Sequence, residues 1–130
     1  MILLDTHVVL WLALEPTRIS KSARAAIDHA RKDGTGLAIS AITLLEITRL
    51  SSEGRIQLDA RLETFLSDVE RRFIVVPISG RICVRAFSFP ATYPKDPSDK
   101  VIGATALEEG LPLLTADREI RNSRALPTIW

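Results

Sequence analysis

Brief apolar runs recur along this chain at intervals that helices can fill. Residues 2–4, 37–39, 73–76 and 113–114 are each bounded by turn residues or an acid, and 128–130 offers a last short strand. Runs so short suit strands buried on both faces, and connections of helix length between them require parallel pairing. Helical signals occupy the gaps. The stretch 8–14 is apolar almost all round and stops at Glu15-Pro16; Ser20 suits the cap of a helix reaching about Lys32, with Gly34 and Gly36 beyond it. Ser40 suits the cap of a helix that carries Glu46, while Leu58, Leu62, Phe65, Leu66, Val69 and Phe73 recur at helical spacing. Ile82, Cys83, Ala86 and Phe87 repeat that pattern more briefly, and both sets read as core-facing stripes. Pro90 to Pro97 reads as a loop, after which Asp96 as N-cap and Pro97 at the first position launch a helix ended by Gly110 and Pro112. The expectation is an α/β sandwich with a mainly parallel sheet, in one domain over residues 1–130.

Four acids stand where an acid is costly. Asp5 closes the run 2–4, Glu46 lies among Ile42, Leu45, Ile47 and Leu50, Asp99 sits in the first turn of the helix after the loop, and Asp117 follows Leu113-Leu114. An ionised carboxylate leaving water costs several kcal/mol unless it is paired, so a convergence of them implies a bound cation or shifted pKa values. Singly, most have simpler explanations. Asp5, Asp96 and Asp117 suit helix N-caps, and Asp99 complements a helix dipole. Glu46 resists, because its neighbours one turn away on either side are apolar and its one local basic partner, Arg49, would add only a few tenths of a kcal/mol. In a parallel sheet the functional crevice lies beyond the carboxyl ends of the strands, where Asp5 and Asp117 would both project. Thr6 and Thr115 are placed to orient those acids by hydrogen bonds, with Asp96 as a further nearby acid. His7 reads as an ordinary residue of a first helical turn, and His29 as a surface residue.

Composition narrows the chemistry. Cys83 is the only cysteine, so intrachain disulfides and multi-cysteine metal sites are excluded, and a reducing cytoplasm fits best. A formal net charge of +1 carries no overall polyanion signal, which leaves a local basic patch as the only electrostatic route to nucleic acid. No signal peptide or membrane span is expected, since Asp5 and His7 break the first apolar run and 8–14 is too short to cross a bilayer. An all-oxygen donor set suits hard Mg²⁺ or Mn²⁺, and those ions suit phosphoryl chemistry.

Four segments in order resemble the PIN-domain ribonucleases, and more closely the VapC-type toxins of bacterial toxin-antitoxin modules. They are Leu-Leu-Asp-Thr-His at 3–7 followed by Val-Val-Leu-Trp-Leu, Ser-Ala-Ile-Thr-Leu-Leu-Glu-Ile at 40–47, Tyr-Pro-Lys-Asp-Pro-Ser-Asp-Lys-Val-Ile-Gly-Ala-Thr-Ala at 93–106, and Leu-Leu-Thr-Ala-Asp at 113–117. The resemblance implies a three-layer sandwich with five parallel strands. It also implies Mg²⁺- or Mn²⁺-dependent cleavage of structured RNA, homodimerisation, and a cognate antitoxin that blocks the site. The family's metal-binding acids carry over to Asp5, Glu46, Asp99 and Asp117, with Asp96 nearby. Lys100 departs from the arginine common in the family, and lysine lacks the planar fork needed for a bidentate contact. The rival expectation is a non-catalytic α/β binding module whose acids merely cap helices and bind basic partners. A haloacid-dehalogenase phosphatase fits less well, because its Asp-x-Asp signature needs an acid where His7 stands.

Overall fold

The computed structural model describes residues 1–130. In chain order the elements are β1 (Ile2–Leu4), α1 (Thr6–Leu14), a 3-10 turn (Pro16–Arg18), α2 (Lys21–Lys32), β2 (Leu37–Ser40), α3 (Ala41–Ser52), α4 (Leu62–Arg72) and β3 (Ile74–Val76). They continue as α5 (Gly80–Ala86), α6 (Pro97–Glu109), β4 (Leu113–Leu114), α7 (Arg118–Ser123) and β5 (Thr128–Ile129). The five strands form one sheet in the order β3-β2-β1-β4-β5, with every pairing parallel. Strand order reverses at β1. The chain builds outward to β2 and β3 on one side and returns to β4 and β5 on the other, which makes the carboxyl end of β1 the topological switch point where crevices form.

Alternation along the strands divides the core into two layers. Ile2, Leu4, Leu37, Ile39 and Leu114 face α1, α2 and α3 through Val8, Val9, Ile27 and Ile47. Leu3, Ala38 and Leu113 face the opposite way, against Ile102 and Ala106 of α6 and Ile120 of α7. Every one of these strand residues is buried, as a parallel sheet covered on both faces demands. Caps fix the helix starts where the sequence placed them. The Ser20 hydroxyl accepts from the Ala23 N–H at 3.1 Å and the Ser40 hydroxyl from the Ile42 N–H at 3.2 Å, and α6 ends at Gly110 in the left-handed region with φ 66°.

Two expectations are corrected. The helical stripe read from Leu58 to Phe73 is shorter, because Leu58 lies in the preceding loop and Phe73 leaves α4 with extended backbone to start the approach to β3. The stripe at 82–87 is only half core. Ile82 and Ala86 are buried against Ala104 of α6, whereas Cys83 is exposed and Phe87 is 75% exposed. A seven-residue helix lying on another helix has one inward face, and those two side chains fall outside it.

The loop before α6 is anchored from below. Tyr93 is buried, stacks on Phe89 with ring centroids 4.0 Å apart, and donates its hydroxyl hydrogen to the Asp99 carbonyl at 2.6 Å. Gly103 makes room for it, since a Cβ at that position would overlap the Tyr93 hydroxyl and press on the Phe89 ring. Gly103→Ala is therefore expected to destabilise the fold by about 1–3 kcal/mol despite the helix preference of alanine, read as a lower urea midpoint. An unchanged or raised midpoint would show that the Tyr93 loop yields freely.

Candidate active site

Asp5 follows directly from β1, so its backbone still belongs to the sheet: its N–H donates to the Leu114 carbonyl at 3.0 Å. Its side chain is 5% exposed. One carboxylate oxygen, Oδ1, caps α1 by accepting from the Thr6 N–H at 2.8 Å, and the other, Oδ2, accepts from the Thr115 hydroxyl at 2.8 Å. The register Leu4↔Leu114, extended by one residue, brings Thr115 beside Asp5. Thr115 in turn accepts from the Asp117 N–H at 3.1 Å, so one hydroxyl ties the first acid to the segment bearing the last. Asp117 caps α7 through Oδ1 alone, which accepts from the N–H groups of Glu119 and Ile120.

Glu46 enters from α3. It is half-buried, and its Oε1 accepts from the Thr6 hydroxyl at 2.5 Å; Thr6 lies 3.0 Å from the Thr43 hydroxyl. Because Thr6 has one hydroxyl hydrogen and gives it to the carboxylate, Thr43 is the donor in the second contact. Arg49 is not its partner, since that guanidinium turns to Glu53 at 4.0 Å. Burial is the main force raising the pKa of Glu46; the Thr6 hydrogen bond opposes it and the charges of Asp5 and Asp96 add to it.

Asp99 completes the group from the first turn of α6. Asp96 caps that helix by accepting from the Asp99 N–H at 3.2 Å, but the Asp99 carboxyl has no hydrogen-bond or basic partner of its own. Burial, then the charges of Asp5, Asp96, Asp117 and Glu46, push it up to about 7. Each of those four acids acts on Asp99, which is the electrostatic mark of convergence. Lys100 does not neutralise them, as its ammonium lies 4.9 Å from the Phe87 ring centroid.

All seven residues singled out from the sequence thus meet at one end of the sheet, either as acids or as the threonines that hold them. No three acidic or histidine side chains stand together as a ready-made coordination set. The donors are oxygens throughout and none is paired with a lysine or arginine, which is the donor chemistry that hard divalent cations take, with water completing their shells. The residues therefore fit a hard, hydrated divalent cation. Sequence reading missed three participants: Thr43, signalled only by its position one turn before Glu46; Tyr93, hidden in an irregular loop; and His7, whose Nε2 accepts from the Ala116 N–H at 2.9 Å.

A family model described as PIN domain matches residues 2–125. The chain belongs to the PIN-domain family. This PIN domain is 37% identical over 131 residues to Ribonuclease VapC22 of Mycobacterium tuberculosis, covering 99% of the chain and 98% of that protein. Two solved structures share its fold. The crystal structure of VapBC2 from Rickettsia felis bound to a DNA fragment from their promoter aligns with a TM-score of 0.74 at 17% identity, covering 98% of this chain and 97% of that one. DNA-bound VapBC from Salmonella typhimurium aligns with a TM-score of 0.70 at 18% identity and the same coverage. The five-stranded three-layer sandwich of this PIN domain is the architecture expected from its sequence.

The raised Asp99 has a consequence for stability without metal. Its ordinary value is 3.8, so between there and about 7 the folded protein keeps a proton that the unfolded chain has released. Stability from this group is complete below the unfolded value and is lost as pH rises through the folded one. Glu46 acts in the same direction. In EDTA, the urea midpoint is expected to fall across this pH window, and Asp99→Asn to flatten the fall and raise the midpoint at pH 8. A wild-type midpoint that rises steadily across the window would contradict the uncompensated cluster.

Proposed function

We propose that this PIN domain is a divalent-cation-dependent endoribonuclease, the toxin of a toxin-antitoxin pair, acting as a homodimer in the cytoplasm until a cognate antitoxin blocks it. One observation carries the reading: acids from four different elements surround a half-buried Asp99, whose pKa is raised by burial first and by their charges second, with no lysine or arginine paired to any of them. Its 37% identity to a protein named as a ribonuclease supports the reaction class, and no helix is long and apolar enough to cross a membrane. Asp5, Asp99 and Asp117 would hold Mg²⁺ or Mn²⁺, with Glu46 beside them. When bound, such an ion supplies a positive centre that polarises the scissile phosphodiester and acidifies water.

The chain's own residues account for the rest. Thr115 and Thr6 keep the Asp5 and Glu46 carboxylates aimed before any ligand arrives, which removes reorganisation from the reaction. Glu46, with a raised pKa and a hydroxyl on one oxygen only, is suited to take a proton from the attacking water. Exposed Lys95 and Arg118 flank the acids in sequence and would hold RNA phosphates at the rim. Helix capping and dipole pairing, the basis of the rival binding-module reading, explain Asp5, Asp96 and Asp117 and place Asp99 in the first turn of α6, but give Glu46 no role and leave the burial of Asp99 without a partner unexplained.

Asp5→Asn should reduce RNA cleavage to the level seen in EDTA while leaving the fold intact, and sequenced RNA ends should carry 5′-phosphates and 3′-hydroxyls. Ends bearing 2′,3′-cyclic phosphate would sink hydrolysis by water. Saturating Mn²⁺ should also raise the melting temperature, because binding at 100 times Kd contributes about 2.7 kcal/mol. A melting temperature that Mn²⁺ leaves unmoved would count against the metal site.

A further inference from the structure

His7 lies in the first turn of α1, two residues after Asp5, yet its ring reaches a strand connection 109 residues away. Its Nε2 accepts the Ala116 N–H at 2.9 Å, in the segment between Thr115 and Asp117. A ring nitrogen that accepts has no proton, so the neutral imidazole carries its hydrogen on Nδ1. That nitrogen faces Asp5, 3.6 Å from Oδ2, the same oxygen that receives the Thr115 hydroxyl. The ring plane is fixed from behind. Trp11, one turn along α1, packs on the imidazole with centroids 4.9 Å apart, and is itself covered by Trp130 at 5.8 Å and by the Arg18 guanidinium at 4.0 Å.

We propose that His7 is a positioning residue: its imidazole clamps the β1–α1 junction to the β4–α7 segment and thereby sets where Asp5 and Asp117 stand relative to each other. β4 has only two residues, so little of the sheet ladder is available to fix the segment beyond it. The Thr115 N–H still reaches the Ile129 carbonyl at 3.2 Å, and two cross-links to the β1–α1 junction add to it. Thr115 joins the two acids through side chain and backbone, and His7 holds the intervening Ala116 amide, which would otherwise be free to turn Asp117 away. The Ala116 N–H is half-buried, and its partner comes from the element that follows the other acid. The clamp rests on the proposed active site for its purpose but not for its existence.

Two substitutions separate its parts. His7→Gln retains a side-chain acceptor at about the reach of Nε2, whereas His7→Ala removes it. In the full chain, hydrogen exchange at the Ala116 amide should accelerate roughly tenfold in His7→Ala and return toward wild type in His7→Gln. Mn²⁺ affinity, measured by calorimetry with the metal alone, should fall about 10- to 100-fold in His7→Ala and recover in His7→Gln. Nitrogen NMR of the wild-type ring should show the hydrogen on Nδ1. Unchanged Ala116 exchange in His7→Ala, a glutamine variant no better than alanine, or a wild-type ring protonated on Nε2 would each overturn the clamp. Wild-type protein that gives no Mn²⁺ heat while Ala116 behaves as expected would instead overturn the metal reading and leave the clamp standing.

Discussion

Negative charge gathered without a positive partner is the constraint around which this fold is arranged. Each acid is delivered by a different element: Asp5 by the end of the central strand, Glu46 by α3, Asp99 by the start of α6 and Asp117 by the start of α7. None can retreat far. Asp5 is walled in by the switch point of the sheet, and Asp99 is held by Tyr93 from beneath. Repulsion among carboxylates would normally drive such side chains toward solvent, so the burial of their scaffolds is what keeps them together. The elements that supply that burial are the two apolar layers, which rest on strands of two to four residues.

Capping and the proposed metal site draw on the same carboxylates in this arrangement. Asp5 and Asp117 each give an oxygen to backbone N–H groups, which anchors the carboxylate and leaves part of its coordinating capacity for a ligand. The helix-cap role expected of these residues holds in the structure, and it leaves room for the further role proposed for them. Belonging to the PIN-domain family supplies the context in which the remaining capacity makes sense.

Much of this was legible in the residues because the determinants are local. Asp96-Pro97 with Gly110 marks both ends of α6, Ser40 marks the start of α3, and the apolar neighbours of Glu46 one turn on either side reveal an acid on the wrong face. Non-local determinants escaped. The bond from His7 to Ala116 depends on the adjacency of β1 and β4, and nothing in the seven residues around His7 announces it. Tyr93 looked like one more member of an irregular loop, although it is buried beneath the site. Phe87 and Cys83 failed in the other direction, since apolar character implied burial that a short outer helix does not provide.

The threonines carry a further meaning. Thr6, Thr43 and Thr115 are all buried, and each is β-branched, so crowding at Cβ limits the directions in which its hydroxyl can point. A hydroxyl has a single hydrogen, and here the chain of donation runs from Thr43 to Thr6 to Glu46, and from Thr115 to Asp5. These positions therefore encode two separate things: a volume that the core requires and an arrow that the acids require. Valine would reproduce the first and erase the second, so the substitution that packing alone would find easiest would strip Asp5 and Glu46 of the hydroxyls that aim them.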